Sequence, residues 1–331
     1  MKILLIANYN EGAGGISVQV ELLYKNLSKE KVISEIYSFK ANQLKRIWLF
    51  LKLFFIARGY DVLHIHACSY WGFLPVVFGV VVGKVLRKKI ILTYHGGGAD
   101  EFFSKHLNVI KFFLKRTDYN IVLSGFLEDV FKKYGIPCEV IPNIIEFEKD
   151  HYKKREQIKP IFVSVRTLEP LYNISCIIKA FEIVKKVRED ALLYILSDGS
   201  CRAELELLVL QGGIKDVYFL GRVNNNEIYD YLDKADIFLS SPKIDNFPVS
   251  VLEAFNAGLL VISSNVGGVP YIVEDNKSGL LFESDNYKEL ADKMLFAINN
   301  EDEVKAMIEA GKQSVDKYRW DTIKDKLFKL Y

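Results

Sequence analysis

Two doubly wound α/β units in tandem are the fold that this chain of 331 residues predicts, and three observations predict it. Short apolar runs alternate with longer amphipathic ones along the whole sequence, the pattern of parallel sheets wrapped by helices on both faces. The alternation breaks once, at Pro142-Asn143 and the charged stretch Glu146 to Lys159, and then restarts. The length suits two cores of about 150 residues each better than one.

Each element follows from its residues. In the first unit, residues 1–146, strands are expected at Lys2–Ala7, Val32–Ser38, Asp61–His66, Lys89–Thr93, Tyr119–Leu123 and Glu139–Ile141. Helices are expected between them at 16–28, 43–57, 71–86, 101–116 and 125–133. In the second unit, residues 147–317, strands are expected at Ile161–Val165, Leu192–Leu196, Val217–Leu220, Ile237–Leu239, Leu259–Ile262 and Gly279–Leu281. Glu146 to Lys159 reads as the linker. The closing stretch 318–331 reads as an amphipathic helix whose aromatics pack back onto the first unit. Open sheets of this kind bind ligands at the carboxyl ends of their strands, so two of them facing each other would hold a ligand in the cleft between.

Composition narrows the function classes. Half the residues are hydrophobic and 26% are charged, so neither a disordered chain nor a highly charged one is expected. The net charge of +2 is uneven: residues 1–150 carry 20 Lys and Arg against 14 Asp and Glu. An excess of cations in the first half suits an anionic partner such as a membrane surface or a phosphorylated acceptor. Nothing in the sequence points to nucleic acid. Cys68, Cys138, Cys176 and Cys201 are far apart and form neither a disulfide frame nor a zinc site. The opening MKILLIANYN lacks the features of a signal peptide. The most apolar window, Trp71 to Leu86, is shorter than the ~20 residues of a membrane span. A cytoplasmic protein is therefore expected, with the inner face of a membrane as a further location.

Four segments carry chemistry. The first is the loop Asn10-Glu-Gly-Ala-Gly-Gly-Ile-Ser after the first strand, in which Gly12, Gly14 and Gly15 precede a helix. Glycines let the backbone approach a ligand, and a helix N-terminus offers N–H groups to phosphate. A tight turn would look the same. The second is Tyr94-His95-Gly-Gly-Gly, which puts His95 at the end of a strand as a proton carrier or hydroxyl donor. His64 and His66 alternate onto one face of a strand and read as buried, hydrogen-bonded histidines, with no third ligand for a metal. The third is Arg166, after the first strand of the second unit, whose guanidinium suits phosphate oxygens. The competing role is an ion pair with a neighbour such as Glu169.

The fourth segment is the most specific: Asp245-Asn-Phe-Pro-Val-Ser-Val-Leu-Glu253-Ala-Phe-Asn-Ala-Gly258. Phe247 and Pro248 open a helix, whose first N–H groups favour an anion. Asp245 precedes it, Glu253 lies within it in reach of a ribose diol, and Gly258 ends it. Gly267-Gly268-Val269-Pro270 forms another glycine-rich turn at the same edge.

These motifs together resemble the retaining glycosyltransferases of family 4, which have the GT-B fold of two Rossmann-like domains facing across a cleft. The resemblance runs through the glycine loop, His95, Pro142-Asn143, Arg166, Gly221-Arg-Val, Asp245 to Gly258, Gly267 to Pro270 and the closing Tyr318-Arg-Trp helix. It implies a nucleotide-diphosphate sugar as donor and a sugar or lipid-linked sugar hydroxyl as acceptor. It implies that Glu253 holds the donor ribose, and that Asp245, with Asn246, Phe247, Pro248, Val249 and Ser250, touches the sugar and phosphates. Arg166 would bind the pyrophosphate, Gly14 and Gly15 would approach the phosphate, His95 would contact the sugar or the reacting centre, and Arg222 would lie by the base. Catalytic roles thus fall to His95, Arg166 and Asp245.

Two departures stand out. Asp245 replaces the more usual glutamate, and the usual lysine after the arginine is missing, its place falling to Tyr172 or Asn173. Tyr172 is counted among the donor contacts. No Asp-x-Asp occurs, so neither a bridging metal nor any other cofactor is expected. The basic, aromatic segments Gln43 to Arg58 and Lys111 to Arg116 suit an anionic membrane, which would match a lipid-linked acceptor in cell-surface polysaccharide or glycolipid synthesis. A sugar-nucleotide epimerase of similar fold and a non-catalytic nucleotide-sugar sensor are the alternatives. A nicotinamide dehydrogenase is disfavoured, because neither GxGxxG nor an acidic residue ending the second strand is present.

Overall fold

The computed structural model describes residues 1–11, 14–39, 43–147 and 152–331. Gly12 of the glycine loop and part of the expected linker lie outside these. The chain divides into one compact unit of residues 1–146 and 317–331 and another of residues 147–316.

The first unit is built on strands β1 (Lys2–Ala7), β2 (Ile33–Ser38), β3 (Val62–Ala67), β4 (Lys89–Tyr94), β5 (Tyr119–Val122) and β6 (Glu139–Val140). All pair in parallel, in the order β2-β1-β3-β4-β5-β6. Its helices are α1 (Gly15–Lys29), α2 (Gln43–Ala57), α3 (Leu74–Val85), α4 (Ala99–Leu114) and α5 (Gly125–Lys133). Strand alternation sorts side chains onto two faces. Leu4, Ile6, Leu63, Ile65, Ile90 and Leu92 share one core with α2 to α5. Ile3, Leu5, Val62, Ile91 and Ile121 share the other with α1. β3 is buried at every residue, so its two polar side chains, His64 and His66, have to find their partners inside the protein. The helix expected at 71–86 instead begins with a 3-10 turn at Tyr70–Phe73, and α3 proper starts with Pro75 in its first turn. Proline has no N–H to donate, so the first turn is where a helix tolerates it.

The second unit has strands β7 (Ile161–Ser164), β8 (Leu192–Leu196), β9 (Val217–Gly221), β10 (Ile237–Ser240), β11 (Leu260–Ser264) and β12 (Leu280–Phe282). They are also parallel, in the order β12-β11-β10-β7-β8-β9. Its helices are α6 (Ile174–Val187), α7 (Arg202–Gln211), α8 (Asn225–Lys234), α9 (Val249–Asn256), α10 (Tyr287–Asn299) and α11 (Glu301–Ser314). The expected linker needs correction at its end. Arg155 and Ile158 are buried in the second unit, so residues 152–159 are anchored to it at these two positions while their other side chains stay largely exposed. Hydrophilic sequence concealed this, because Arg155 is satisfied by backbone carbonyls rather than by water.

The last helix, α12 (Trp320–Leu330), packs on the first unit through Trp320, Ile323, Leu327 and Leu330, spaced to share one helix face. Trp320 Nε1 donates to Glu30 at 3.1 Å, and Ile145 N donates to the Tyr318 carbonyl at 3.0 Å. Among the described residues no helix is long and apolar enough to cross a membrane.

Candidate functional site

Strand order locates the candidate sites. In each sheet the chain winds outward in both directions from one point, and the loops leaving that point diverge to open a crevice. In the second unit the reversal lies between β7 and β10, whose next loops carry Arg166 and Asp245. In the first unit it lies between β1 and β3, and the loop after β1 leads to Gly14 and Gly15.

In the second unit the structure brings Arg166, Tyr172, Asp245, Ser250 and Glu253 together. Arg166 Nη2 pairs with Asp245 Oδ2, and Nη1 donates to Ser250 Oγ at 3.0 Å. The guanidinium lies 4.2 Å from the centre of the Tyr172 ring, which holds its plane. Arg166 Nε is buried and has no hydrogen-bond partner among the described residues. A buried donor in that condition is costly in the empty protein and rewards an incoming acceptor. The ion pair with Glu169 does not form: Glu169 instead accepts from Ser200 N at 2.9 Å and from its hydroxyl.

Asp245 is more constrained than its expected role requires. Oδ2 faces Arg166, and Oδ1 accepts from Phe247 N at 3.1 Å. It therefore orients the arginine and closes its own turn. Each carboxylate oxygen accepts more than one hydrogen bond, so a sugar hydroxyl can still be added. Helix α9 starts at Val249, with Pro248 as its N-cap rather than its first residue, and no side chain caps it. Such an end favours an anion. Glu253 follows one turn on, partly buried, its carboxylate making no hydrogen bond among the described residues. Burial raises its carboxyl above the ordinary glutamate range, while the Arg166 guanidinium acts the other way.

Glycine 267 supports this constellation. Its φ is +54°, and a Cβ there would lie 2.2 Å from the Asp245 carbonyl oxygen. The same carbonyl accepts from Gly268 N at 2.7 Å. Gly267→Ala is expected to displace Asp245 and to weaken binding of an anion beside Arg166 about tenfold or more, a cost of at least ~1.4 kcal/mol. Titration calorimetry with pyrophosphate would measure it.

The missing lysine has a structural counterpart. Tyr172 stacks on Arg166, and Asn173, at a left-handed φ of 49°, donates to Asp285 Oδ1 at 2.7 Å. Ser241 Oγ donates to the carbonyls of Tyr172 and Asn173 at 3.0 and 2.8 Å, tying the β10 loop to the Arg166 loop. Sequence reading missed Ser241, since a serine ending a strand carries no distinctive signal. Arg222 follows β9, exposed.

In the first unit, Gly14 has a φ of +83° and is the N-cap of α1. Among the described residues, chain neighbours aside, no atom lies within 4 Å of a Cβ built at Gly14 or Gly15. His95 follows β4 and is half-buried. Its Nε2 meets His66 Nδ1 at 3.0 Å. His64 meets Tyr331 Oη and Thr93 Oγ1, each at 2.8 Å. The three histidine rings thus lie in a row on the α1 face, His64 and His66 buried and His95 partly so. Among the described residues no cluster of three or more His, Cys, Asp or Glu suits a metal ion.

Burial pushes His64 down to about 3 and His95 down to about 4. Both are neutral when folded and bind protons near pH 6.5 when unfolded, so the unfolded state takes up more protons below that pH. Stability is expected to fall as pH drops from about 6.5 toward 4, by at most ~1.4 kcal/mol per pH unit for each histidine. Thermal unfolding across this range would show it, and His64→Asn should flatten the slope.

The comparisons with known proteins agree on one family. The model for "Glycosyl transferases group 1" matches residues 146–314, and that for "Glycosyltransferase Family 4" matches residues 14–149. An uncharacterized glycosyltransferase of Methanocaldococcus jannaschii is 26% identical, over 97% of this chain and 95% of its own. The N-acetyl-alpha-D-glucosaminyl L-malate synthase of Bacillus anthracis is 24% identical, over 96% of this chain and 87% of its own. Among solved structures, Anabaena Alr3699/HepE in complex with UDP and glucose superposes with a TM-score of 0.81 at 17% identity, covering 99% of this chain and 98% of that one. That likeness is one of fold, and the neighbours are GT-B glycosyltransferases.

Proposed function

The chain belongs to the glycosyl transferases group 1 family, and on that footing we propose that it moves a sugar from a nucleotide-diphosphate sugar to an acceptor hydroxyl with retention of configuration. The observation that carries the donor class is the Arg166 guanidinium beside the uncapped start of α9 at the β7/β10 crevice. Cationic and amide donors there suit the charge that builds on a departing diphosphate. Glu253, unpartnered and one turn into α9, suits a ribose diol. A UDP-sugar is the first donor to test, since Anabaena HepE was crystallised with UDP, with UDP-glucose, and with UDP and glucose.

The proposed reaction breaks the anomeric carbon–phosphate oxygen bond and forms one to the acceptor oxygen on the same face. The acceptor's proton passes to the departing phosphate. Arg166 and the α9 amides carry the developing charge, and Asp245 keeps Arg166 in place. Gly14 and Gly15 are assigned to a phosphate and His95 to the sugar. Arg222 is assigned to the base. We also propose that no metal takes part, because the chain lacks Asp-x-Asp and supplies Arg166 where the diphosphate's charge must be met. The acceptor is proposed to be a sugar or lipid-linked sugar at an anionic membrane, in the synthesis of surface polysaccharide or glycolipid.

The test is a release assay for nucleoside diphosphate with a panel of donors and acceptors, followed by NMR of the new anomeric linkage. An inverted linkage would refute retention, and turnover of donor into an epimer without acceptor would favour an epimerase. Turnover is expected to persist in excess EDTA, and its complete loss with recovery on adding Mg²⁺ or Mn²⁺ would overturn metal independence.

A further inference from the structure

Three neighbouring helices of the first unit share an outer surface unlike one that faces only water. α2 packs beside α3 and α3 beside α4, over the same face of the sheet. Each turns large apolar side chains outward at helical spacing: Trp48, Leu51 and Phe55 on α2, Val81 and Val85 on α3, Val109 and Phe112 on α4. Trp48 and Phe55 are 63% and 64% exposed, and Trp71, on the turn before α3, is 66% exposed. Apolar patches of this extent mark interaction surfaces.

Charge distinguishes the kind of partner. Residues 36–99 include nine Lys and Arg and one acidic residue, Asp61, whose carboxylate accepts from Lys2 N at 2.8 Å. The cations lie over the exposed rings: Lys52 is 5.6 Å from the Trp48 ring centre, Arg58 5.1 Å from that of Phe55, and Arg116 3.6 Å from that of Phe112. Neighbouring acids are few and engaged, with Glu101 on Lys105 and Asp118 near Lys84 at 3.8 Å. Protein-binding faces are depleted of lysine at their centres. Aromatic and aliphatic stripes edged by Lys and Arg instead match a surface lying at an anionic lipid interface, where the long stems lie on apolar surface and the charges reach headgroups.

A pocket of about 370 Å³ opens in the same layer, lined mainly by Tyr70, Trp71, Phe73, Val77, Phe102 and Val109. It adjoins the carboxyl edge of the sheet. Tyr70 and Trp71 follow β3, and the Trp71 carbonyl accepts from Asn8 Nδ2 at 3.4 Å, in the loop that leads to Gly14 and Gly15. α4, which forms the other wall, begins four residues after His95.

We propose that the outer face of α2, α3 and α4 rests on an anionic lipid surface and that the Trp71 pocket holds a hydrocarbon chain of the acceptor lipid. That the lipid is an acceptor rests on the transferase reading above. That the surface binds lipid does not.

The test uses the full chain. In flotation, vesicles of phosphatidylcholine with phosphatidylglycerol should capture it roughly tenfold better than phosphatidylcholine alone. Trp48→Glu combined with Phe55→Glu should abolish capture. Dansylundecanoic acid should brighten on binding in the Trp71 pocket, and Trp71→Ala and, separately, Val77→Trp should lose that signal while circular dichroism stays that of the parent. Absence of flotation, equal capture by neutral vesicles, or probe binding unchanged in both pocket variants would overturn the proposal. So would a parent dimer that the double Glu variant makes monomeric without any vesicle binding, since the face would then be a contact between copies. Binding of UDP, GDP and ADP is measured on the same preparations. Failure of the parent to bind any of them would refute the donor reading and leave the lipid result standing.

Discussion

Arg166→Ala is expected to lower kcat/KM by about 10²- to 10³-fold, the range for removing one preorganised donor from a site of developing negative charge. Three contacts now aim the guanidinium: Asp245, Ser250 and the face of Tyr172. Preorganisation of this kind means that, in the proposed reaction, the positive charge need not be gathered at the moment negative charge develops. Arg166→Lys should recover only part of the loss, because an ammonium keeps the charge but not the planar fork. Tyr172→Phe should be almost silent and Tyr172→Ala should not, since stacking uses the ring rather than its hydroxyl. Steady-state kinetics with calorimetry of UDP binding separates these outcomes. Activity of Arg166→Ala equal to the parent's would remove Arg166 from the site.

Arg155→Ala is expected to destabilise the second unit by about 3–5 kcal/mol, the cost of breaking a buried ion pair from one side. Arg155 donates to four carbonyls, those of Leu232, Asp233, Ala257 and Gly258, at 2.9 to 3.2 Å. These are the C-terminal ends of α8 and α9, which place cationic groups favourably against the helix dipoles. Asp236 lies 3.5 Å away. Burial outweighs attraction in this pair: it lowers the Arg155 pKa and raises that of Asp236. The pair itself therefore contributes little. Removing the arginine is costly because four carbonyls and a carboxylate each lose a partner together. Although Lys153 still reaches the Asp233 and Ala257 carbonyls and Lys159 N the Asp236 carboxylate, the Leu232 and Gly258 carbonyls lose this buried donor outright. Because α9 carries Ser250 and Glu253, weakened donor binding should accompany the lower stability. For a unit of this size the midpoint of thermal unfolding should drop by about 6–20 °C. Arg155→Lys, which can reach fewer of the carbonyls, should fall between.

Much of the candidate site was legible from residues close together in the chain. Asp245 to Gly258 announced a loop, a helix and its end within one turn-to-turn span, and the structure differs from that reading only in where α9 begins. His64 and His66 were legible as buried because strand alternation is a local rule. The roles within the site were less legible. Asp245 read as a sugar ligand and is first of all the partner of Arg166, 79 residues away. Tyr172 stood where a lysine is usual, and only its stacking shows why an aromatic suits the position.

By itself, then, the sequence determined the elements of this protein, because the periodicity of apolar residues is set within a few residues of chain and repeats in each strand and helix. It also determined which loops are rich in glycine and charge. Tertiary structure decided which loops meet. The β7/β10 reversal brings Arg166 to Asp245, and α12 brings Tyr331 to His64 across 267 residues. Pairings of that kind depend on strand order and on closing long loops, whose entropic cost rises only slowly with length and leaves no mark on the local pattern. Arg155 illustrates the limit: its neighbours in sequence are polar, and only the two helix ends converging on it make it part of the core.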